Sequence, residues 1–375
     1  MKYLSLFLVL ISIIFFAAPV SAIDFNAHSG VQFNWWDSDD DRKATQINIP
    51  ITFEGKEGKY SISLLAGFTR TSIELADGTD ESLSTILDTK LNLSYEVPGD
   101  LPVDVLIGLD FNIPTGKTNL SQDELILLMD PDLISITTFG EGFNVNPSVN
   151  IVKKWKDWVA GFGIGYLYRG EYDFSVNTTE YNPGDIINAS AEARYYSLSS
   201  WDARVFGYYA YYLKDKLAGD DFAQEGSHYL IGAGLNYDQV EWVAGASLSA
   251  VFRDKSKFQE ATGGLFTEGN NSQGNELIGD LYFTYELDKR TVLTSTFQGL
   301  FISENDYGEN SSRFIGSRKK FTLGVGASRT YDKSLTAEVD LKGFMLKDEK
   351  TNFPVPLGNV DYKGIVASIT ASKSF

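Results

Sequence analysis

The sequence predicts an all-β chain: a transmembrane, up-and-down, antiparallel β-barrel of about sixteen strands, with fourteen also compatible. Three observations carry this. Hydropathy alternates with period two along nearly the whole chain. The connections between the alternating segments are tight and long in turn. Aromatic residues gather where those segments end.

The amino terminus is set apart. In MKYLSLFLVLISIIFFAAPVSA, Lys2 precedes a short apolar core, Leu4 to Phe16, and Val20 and Ala22 form a small-residue cleavage pair. This reads as a secretory signal peptide over residues 1–22, removed to leave Ile23 first. The apolar run is short for a span of about 20 residues. Without the one lysine of that segment, 31 basic residues face 50 acidic ones, a charge of −19. Such acidity argues against nucleic acid as a partner. Cysteine is absent, so an exported chain of this length must be held by its core or by a closed sheet.

The barrel occupies residues 23–375 as one domain. Alternating segments are expected near 27–37, 42–54, 58–72, 84–97, 101–112, 142–155, 158–172, 184–196, 201–215, 225–238, 240–253, 274–287, 290–303, 317–330, 333–347 and 362–375. In the fourth, the apolar row Leu87, Leu91, Leu93 and Tyr95 alternates with the polar row Asp88, Lys90, Asn92 and Ser94, and in the fifth, Val103, Val105, Ile107, Leu109 and Phe111 alternate with Asp104, Leu106, Gly108, Asp110 and Asn112. Strands of this length are far longer than the usual ~5–6 residues. Each even segment reaches the next odd one through a tight turn such as Gly55-Lys56-Glu57, Lys156-Asp157 or Asp288-Lys289. The other connections are mostly long and polar, at 73–83, 113–141, 173–183, 254–273 and 348–361; only SDDD at 38–41 is brief. Short periplasmic turns and longer outer loops give this asymmetry, with both termini in the periplasm. Trp155, Trp158, Trp201, Trp242, Tyr60, Tyr95, Tyr285 and Tyr331 lie at the tight turns and suit one interfacial girdle. Trp35, Trp36, Tyr168 and Tyr172 lie at the other ends and suit the opposite one. An unpaired strand edge is not tolerated in lipid, so the last strand must pair with the first.

The chain ends IVASITASKSF. Ile365, Ala367, Ile369 and Ala371 form one row and end in Phe375, with Ser and Thr between. Together with the export signal and the loop asymmetry, this resembles the bacterial outer-membrane β-barrel proteins of the porin type. The resemblance implies an outer-membrane location among lipid and lipopolysaccharide. It also implies recognition of Ile369, Ala371 and Phe375 by the barrel-assembly machinery. Lys373 departs from the apolar pattern, and at an interface it can snorkel. More narrowly, GLDFNIPTGK (108–117) with FGEGFNVNPSV (139–149) resembles the barrel family associated with phenol meta-pathway degradation, which is related to FadL-like transporters. Those carry an amino-terminal plug, for which there is little chain here.

The longest connection, 113–141, contains SQDELILLMDPDLI. Ser121 and Glu124 form a capping box ahead of a short apolar helix stopped near Pro131. This loop resembles in place and length the third loop of sixteen-stranded porins, which folds inward. Its acids Asp123, Glu124, Asp130 and Asp132 would then form a constriction that favours cations. The lumen face is expected to carry Asp88, Lys90, Asp104, Asp110, Glu192, Arg194, Arg204, His228, Asp280, Glu338, Asp340 and Lys342. GFGIGY (161–166) has glycines on one strand face and no following helix, so it is not a dinucleotide fingerprint. No enzyme is expected: the histidines are only His28 and His228, cysteine is absent, and Ser227 cannot pair with His228 because neighbours on a strand face opposite ways. No cofactor is expected, and DSDDD (37–41) lacks the regular spacing of a calcium loop. The reading is a channel for passive diffusion of small solutes, with a homotrimer and a monomer both compatible. A FadL-like transporter of hydrophobic or aromatic compounds is the alternative, and a structural barrel the third class.

Overall fold

A computed structural model describes residues 24–99, 101–197, 200–260, 263–332 and 334–375. The expected signal peptide, 1–22, lies outside the described residues. The barrel strands are β1 Asp24–Ser38, β2 Lys43–Glu57, β3 Tyr60–Glu74, β4 in two halves (Asp80–Ile86 and Thr89–Glu96), β5 Asp104–Ile113 and β6 Asn144–Trp155. There follow β7 Trp158–Arg169, β8 Ile186–Tyr196, β9 Trp201–Tyr212, β10 His228–Asp238 and β11 Trp242–Arg253. The last are β12 Glu276–Asp288, β13 Thr291–Ile302, β14 Arg318–Thr330, β15 Leu335–Asp348 and β16 Val360–Ser374. Each pairs antiparallel with its sequence neighbours.

The sheet closes on itself. β1 pairs with β16 from Asn26 opposite Ser374 to Ser38 opposite Tyr362. The barrel therefore has sixteen strands and no open edge, as lipid demands. The seam explains why the chain stops in a regular strand. Phe375 N–H donates to the Phe25 carbonyl at 2.8 Å. Its ring lies 5.7 Å from that of Phe25, and the Lys373 ammonium sits 5.0 Å above it.

One face of each strand is apolar and exposed. On the seam, Val31 stands opposite Ile369 and Phe33 opposite Ala367. The other side of β16, with Ser368, Thr370 and Ser372, faces the lumen. At the turn side, rings run from strand to strand: Trp158 with Tyr195 (5.1 Å), Trp201 with Tyr237 (4.5 Å), Tyr237 with Trp242 (5.4 Å) and Trp242 with Phe283 (5.8 Å). Trp36 is different. It is inward-facing and 2% exposed, so it belongs to the interior and not to a loop-side girdle.

Two local features depart from the sequence pattern. The second loop is only 75–79, because β3 and β4 extend past the expected boundaries at 73 and 83. β4 also carries a bulge. Leu65 pairs with Lys90 and Phe68 with Ile86, so three steps on β3 face four on β4. The extra residue reverses the inside–outside order, as a bulge must. Leu87, expected in the lipid-facing row, turns inward over Gly67. Beyond the barrel, Tyr181–Asn182, Asp215–Leu217, Asp220–Gln224, Lys257–Gln259 and Leu265–Thr267 form a small second sheet from the fourth, fifth and sixth loops.

Candidate functional site

The third loop, 114–143, is fixed to the lumen side of the wall at three places. The first is its root. The β4 bulge presents the Asp88 carboxylate, which accepts from Gly116 N–H, Glu141 N–H and Asn112 Nδ2, each at 2.7 Å. The two ends of the loop cross there, glycine against glycine. A Cβ on Gly116 would lie 2.0 Å from the Phe139 carbonyl oxygen, and one on Gly140 2.8 Å from Gly116 C. No other residue fits such an approach without backbone movement. Thus GLDFNIPTGK and FGEGFN are the two sides of one staple. Asp88 is its hub, and not simply a lining charge.

The second attachment is an amide ladder. Gln46, fully buried on β2, donates to the Ile136 carbonyl and accepts from Ile136 N–H, both at 2.8 Å. Ser135 bridges Gln32 (2.8 Å) and Asn34 (2.9 Å) of β1. Behind Gln46, Thr71, Asn48 and Thr69 complete the chain of partners. The third is ionic. The Arg318 guanidinium, at the start of β14, holds Asp130 (2.6 Å), Asp132 (2.9 Å) and Asp348 (2.6 Å). Lys320 donates to the Asp132 carbonyl at 2.5 Å. Between these points the apolar residues of the loop are buried. Leu127, Met129, Leu133, Ile134 and Phe139 pack with Trp36, Ala44, Ile73, Phe344, Leu346 and Tyr362.

The four loop acids therefore have different surroundings. Ser121 and Glu124 bond reciprocally, Ser121 N–H to the carboxylate at 2.9 Å and Glu124 N–H to Ser121 Oγ at 3.3 Å. The helix they open is only the 3₁₀ turn Glu124–Leu127. Burial opposes ionisation of Glu124, but the Lys117 ammonium and the Ser121 N–H outweigh it and hold its carboxyl below the usual range. Burial, with Asp130 beside it, pushes Asp132 up, and Arg318 and Lys320 only partly offset this. Asp123 alone is exposed and has no ion pair among the described residues. The geometry does not form a ring of four free acids. Three of the four carry counter-ions.

Cavities flank the loop on both sides. One, of about 660 Å³, lies against β3–β6 and includes Lys90, Asn92, Asp110, Glu141 and Asn146. The other, of about 500 Å³, lies against β12–β16 and includes Asp132, Asp280, Gln298, Lys320 and Lys342. The wall charges are mostly tied to neighbours. Asp110 accepts from Asn92 and, at 2.9 Å, from Asn146. Asp280 accepts from Gln298 (2.8 Å) and Ser247 (3.3 Å). Glu192 meets Arg194 (3.1 Å) and Arg204 (3.8 Å). Glu338, Asp340 and Lys342 share the polar face of β15, and Asp104 lies on that of β5 near the turn side. Close to the loop-side mouth, His228 Nδ1 faces the Tyr212 hydroxyl at 3.2 Å and its Nε2 faces Glu225 at 3.0 Å. The glycines of GFGIGY leave room for polar side chains of adjacent strands: a Cβ on Gly163 would lie 2.4 Å from Asn150 Oδ1.

Sequence reasoning missed Gln46, Asn34, Trp36, Arg318 and Lys320. Each sits on a strand remote from the loop it holds. The one local signal was a run of amides and cations where a lumen face needs only small polar residues.

No family model and no curated protein sequence matches the chain. It is similar to several solved barrels. OmpT of Vibrio cholerae, expressed in the outer membrane, is 11% identical over 94% of this chain and 97% of that one, with a TM-score of 0.43. OccAB1 of Acinetobacter baumannii is 8% identical over 93% and 96%, with a TM-score of 0.47. The outer membrane channel DcaP of Acinetobacter baumannii is 14% identical over 96% and 99%, with a TM-score of 0.45. The sixteen-strand closure rests on the register of this chain alone.

Proposed function

We propose that this protein is a porin-like channel of the bacterial outer membrane that passes small polar solutes by diffusion. One observation carries the reading. The long loop is held to one wall by Asp88, Gln46 and Arg318, and cavities that include charged residues in their lining lie on both sides of it. A closed barrel with an apolar outer band and a polar interior suits a water-filled path. Short turns at one rim and long loops at the other fit an orientation with the termini in the periplasm.

A cation preference fits the cavity against β3–β6, where Asp88, Asp110 and Glu141 face Lys90. The opposite cavity is balanced, with Asp132 and Asp280 facing Lys320 and Lys342. We therefore assign the preference to the first cavity and to exposed Asp123, rather than to all four loop acids.

The FadL-like alternative needs an apolar path. The apolar residues of the loop are buried against the wall, which favours the polar reading. Planar-bilayer recording in a salt gradient separates the two. Steady conductance with a cation-directed reversal potential supports the channel. A folded barrel that is silent but binds an aromatic ligand supports the transporter, and one silent without a ligand supports a structural role.

A further inference from the structure

We infer that the outer surface of β14–β16 is a binding site for a phosphate-bearing, acylated lipid. The observation is a groove of about 530 Å³ on the lipid-facing side, lined by Lys319, Lys347, Lys363, Phe321 and Met345. The three lysines come from three adjacent strands and are clustered by register. Lys319 stands opposite Lys347, and Met345 opposite Lys363. All three project to the same side as Leu323, Leu341 and Ile365, the exposed apolar row.

Their height matches a headgroup layer. Each lysine lies 11 or 12 residues from the turn-side limit of its strand: 319 to 330, 335 to 347 and 363 to 374. At ~3.3 Å per residue and a tilt near 40°, that is roughly 30 Å, just past a hydrocarbon band about 25 Å tall. Phe321 and Met345 lie one step back towards the band. They are 40% and 67% exposed, an apolar surface placed for an acyl chain.

The groove is not purely basic. Asp37, Asp39 and Asp361 also line it. Lys363 reaches Asp37 at 3.3 Å and Lys319 reaches Glu349 at 4.0 Å. Asp39 accepts from Asp361 N–H at 3.0 Å. Lys347 has no ion pair among the described residues. Exposed pairs of this kind contribute little, so a phosphate can take their cations. The continuity of cations with apolar surface selects a lipid over a free anion. The site stands on the outer wall and does not depend on what passes through the lumen.

The test uses the full barrel in neutral detergent and native mass spectrometry. Probes are dioleoyl phosphatidic acid, dioleoyl phosphatidylcholine and inorganic phosphate. The wild type is expected to retain phosphatidic acid in preference to phosphatidylcholine. Combined K319Q, K347Q and K363Q should weaken that binding on the order of tenfold or more, since each basic group beside an anionic headgroup contributes about a factor of five. A control with Lys153, Lys154 and Lys156 changed to Gln, at a turn, should retain it. Heat-modifiable migration in gels checks that both variants fold. Equal binding by the groove variant and wild type overturns the proposal, as does an equal loss in the control. Displacement of the lipid by inorganic phosphate at matched concentration also overturns it.

Discussion

Asp88→Ala removes the acceptor on which both ends of the long loop converge. The carboxylate takes Gly116 N–H, Glu141 N–H and Asn112 Nδ2, all at 2.7 Å. A hydrogen bond to a charged group contributes about 1.5–3 kcal/mol. The alanine side chain offers Gly116 N–H and Glu141 N–H no acceptor in its place. Each of the two amides should then open more often by roughly ten- to a hundredfold. The loop tip has separate attachments, so Ile136 N–H, held by Gln46, should keep its protection. Hydrogen exchange of the detergent-solubilised barrel, read by peptide mass spectrometry, resolves the three sites. Wild-type protection at Gly116 and Glu141 in the variant would show that Asp88 does not hold the loop's root. A uniform loss across the loop and strands would show that the staple is not local.

Arg318→Met leaves Asp130, Asp132 and Asp348 without their shared guanidinium, and breaking such a largely buried arrangement costs about 3–5 kcal/mol. The loop tip should become exchange-labile near Asp130, and the reversal potential should move towards stronger cation preference; an unchanged potential would remove this cluster from the ion path. Acidity should act through two carboxyls with opposite signs. Glu124, held low in the fold, stabilises the loop above the usual glutamate range, and that contribution is lost as pH falls through its depressed value. Asp132, held high, binds its proton more tightly in the fold, so its cost is relieved as pH falls into its raised range. Trp36 fluorescence, in a protein keeping it as the one tryptophan, should report the loop loosening only on the more acid limb, and Glu124→Gln should abolish that limb. Phe375→Ala should lower the fraction of heat-modifiable barrel in the outer membrane. Refolding in detergent should change by the loss of one ring pair, about 0.5–1.5 kcal/mol, and of the Lys373 contact with the same ring, about 0.5–1 kcal/mol; unaltered assembly in cells would deny the terminal residue a sorting role.

The strands were legible because a barrel wall between lipid and water imposes one rule on each residue. Leu323 or Ile369 faces lipid, Ser368 or Thr370 faces the lumen, and period two follows. Turn and loop lengths supplied the rest of the topology. The bulge at Leu87–Asp88 was not legible, since reading it requires knowing that Leu65 meets Lys90 while Phe68 meets Ile86. For the same reason Leu87 was expected among lipid-facing residues. The capping box of Ser121 and Glu124 was local and visible. The partners of Asp130 and Asp132 were not, because Arg318 lies on a strand that reaches them only when the sheet has closed. The small sheet of the outer loops escaped notice because its strands, two to five residues long, are too short to show a period.

Single-channel recording of the refolded barrel in planar bilayers tests the central claim most directly. A diffusion channel predicts steady, ohmic conductance steps with a reversal potential directed towards cations. A demonstrably folded barrel that inserts and passes no current would contradict it.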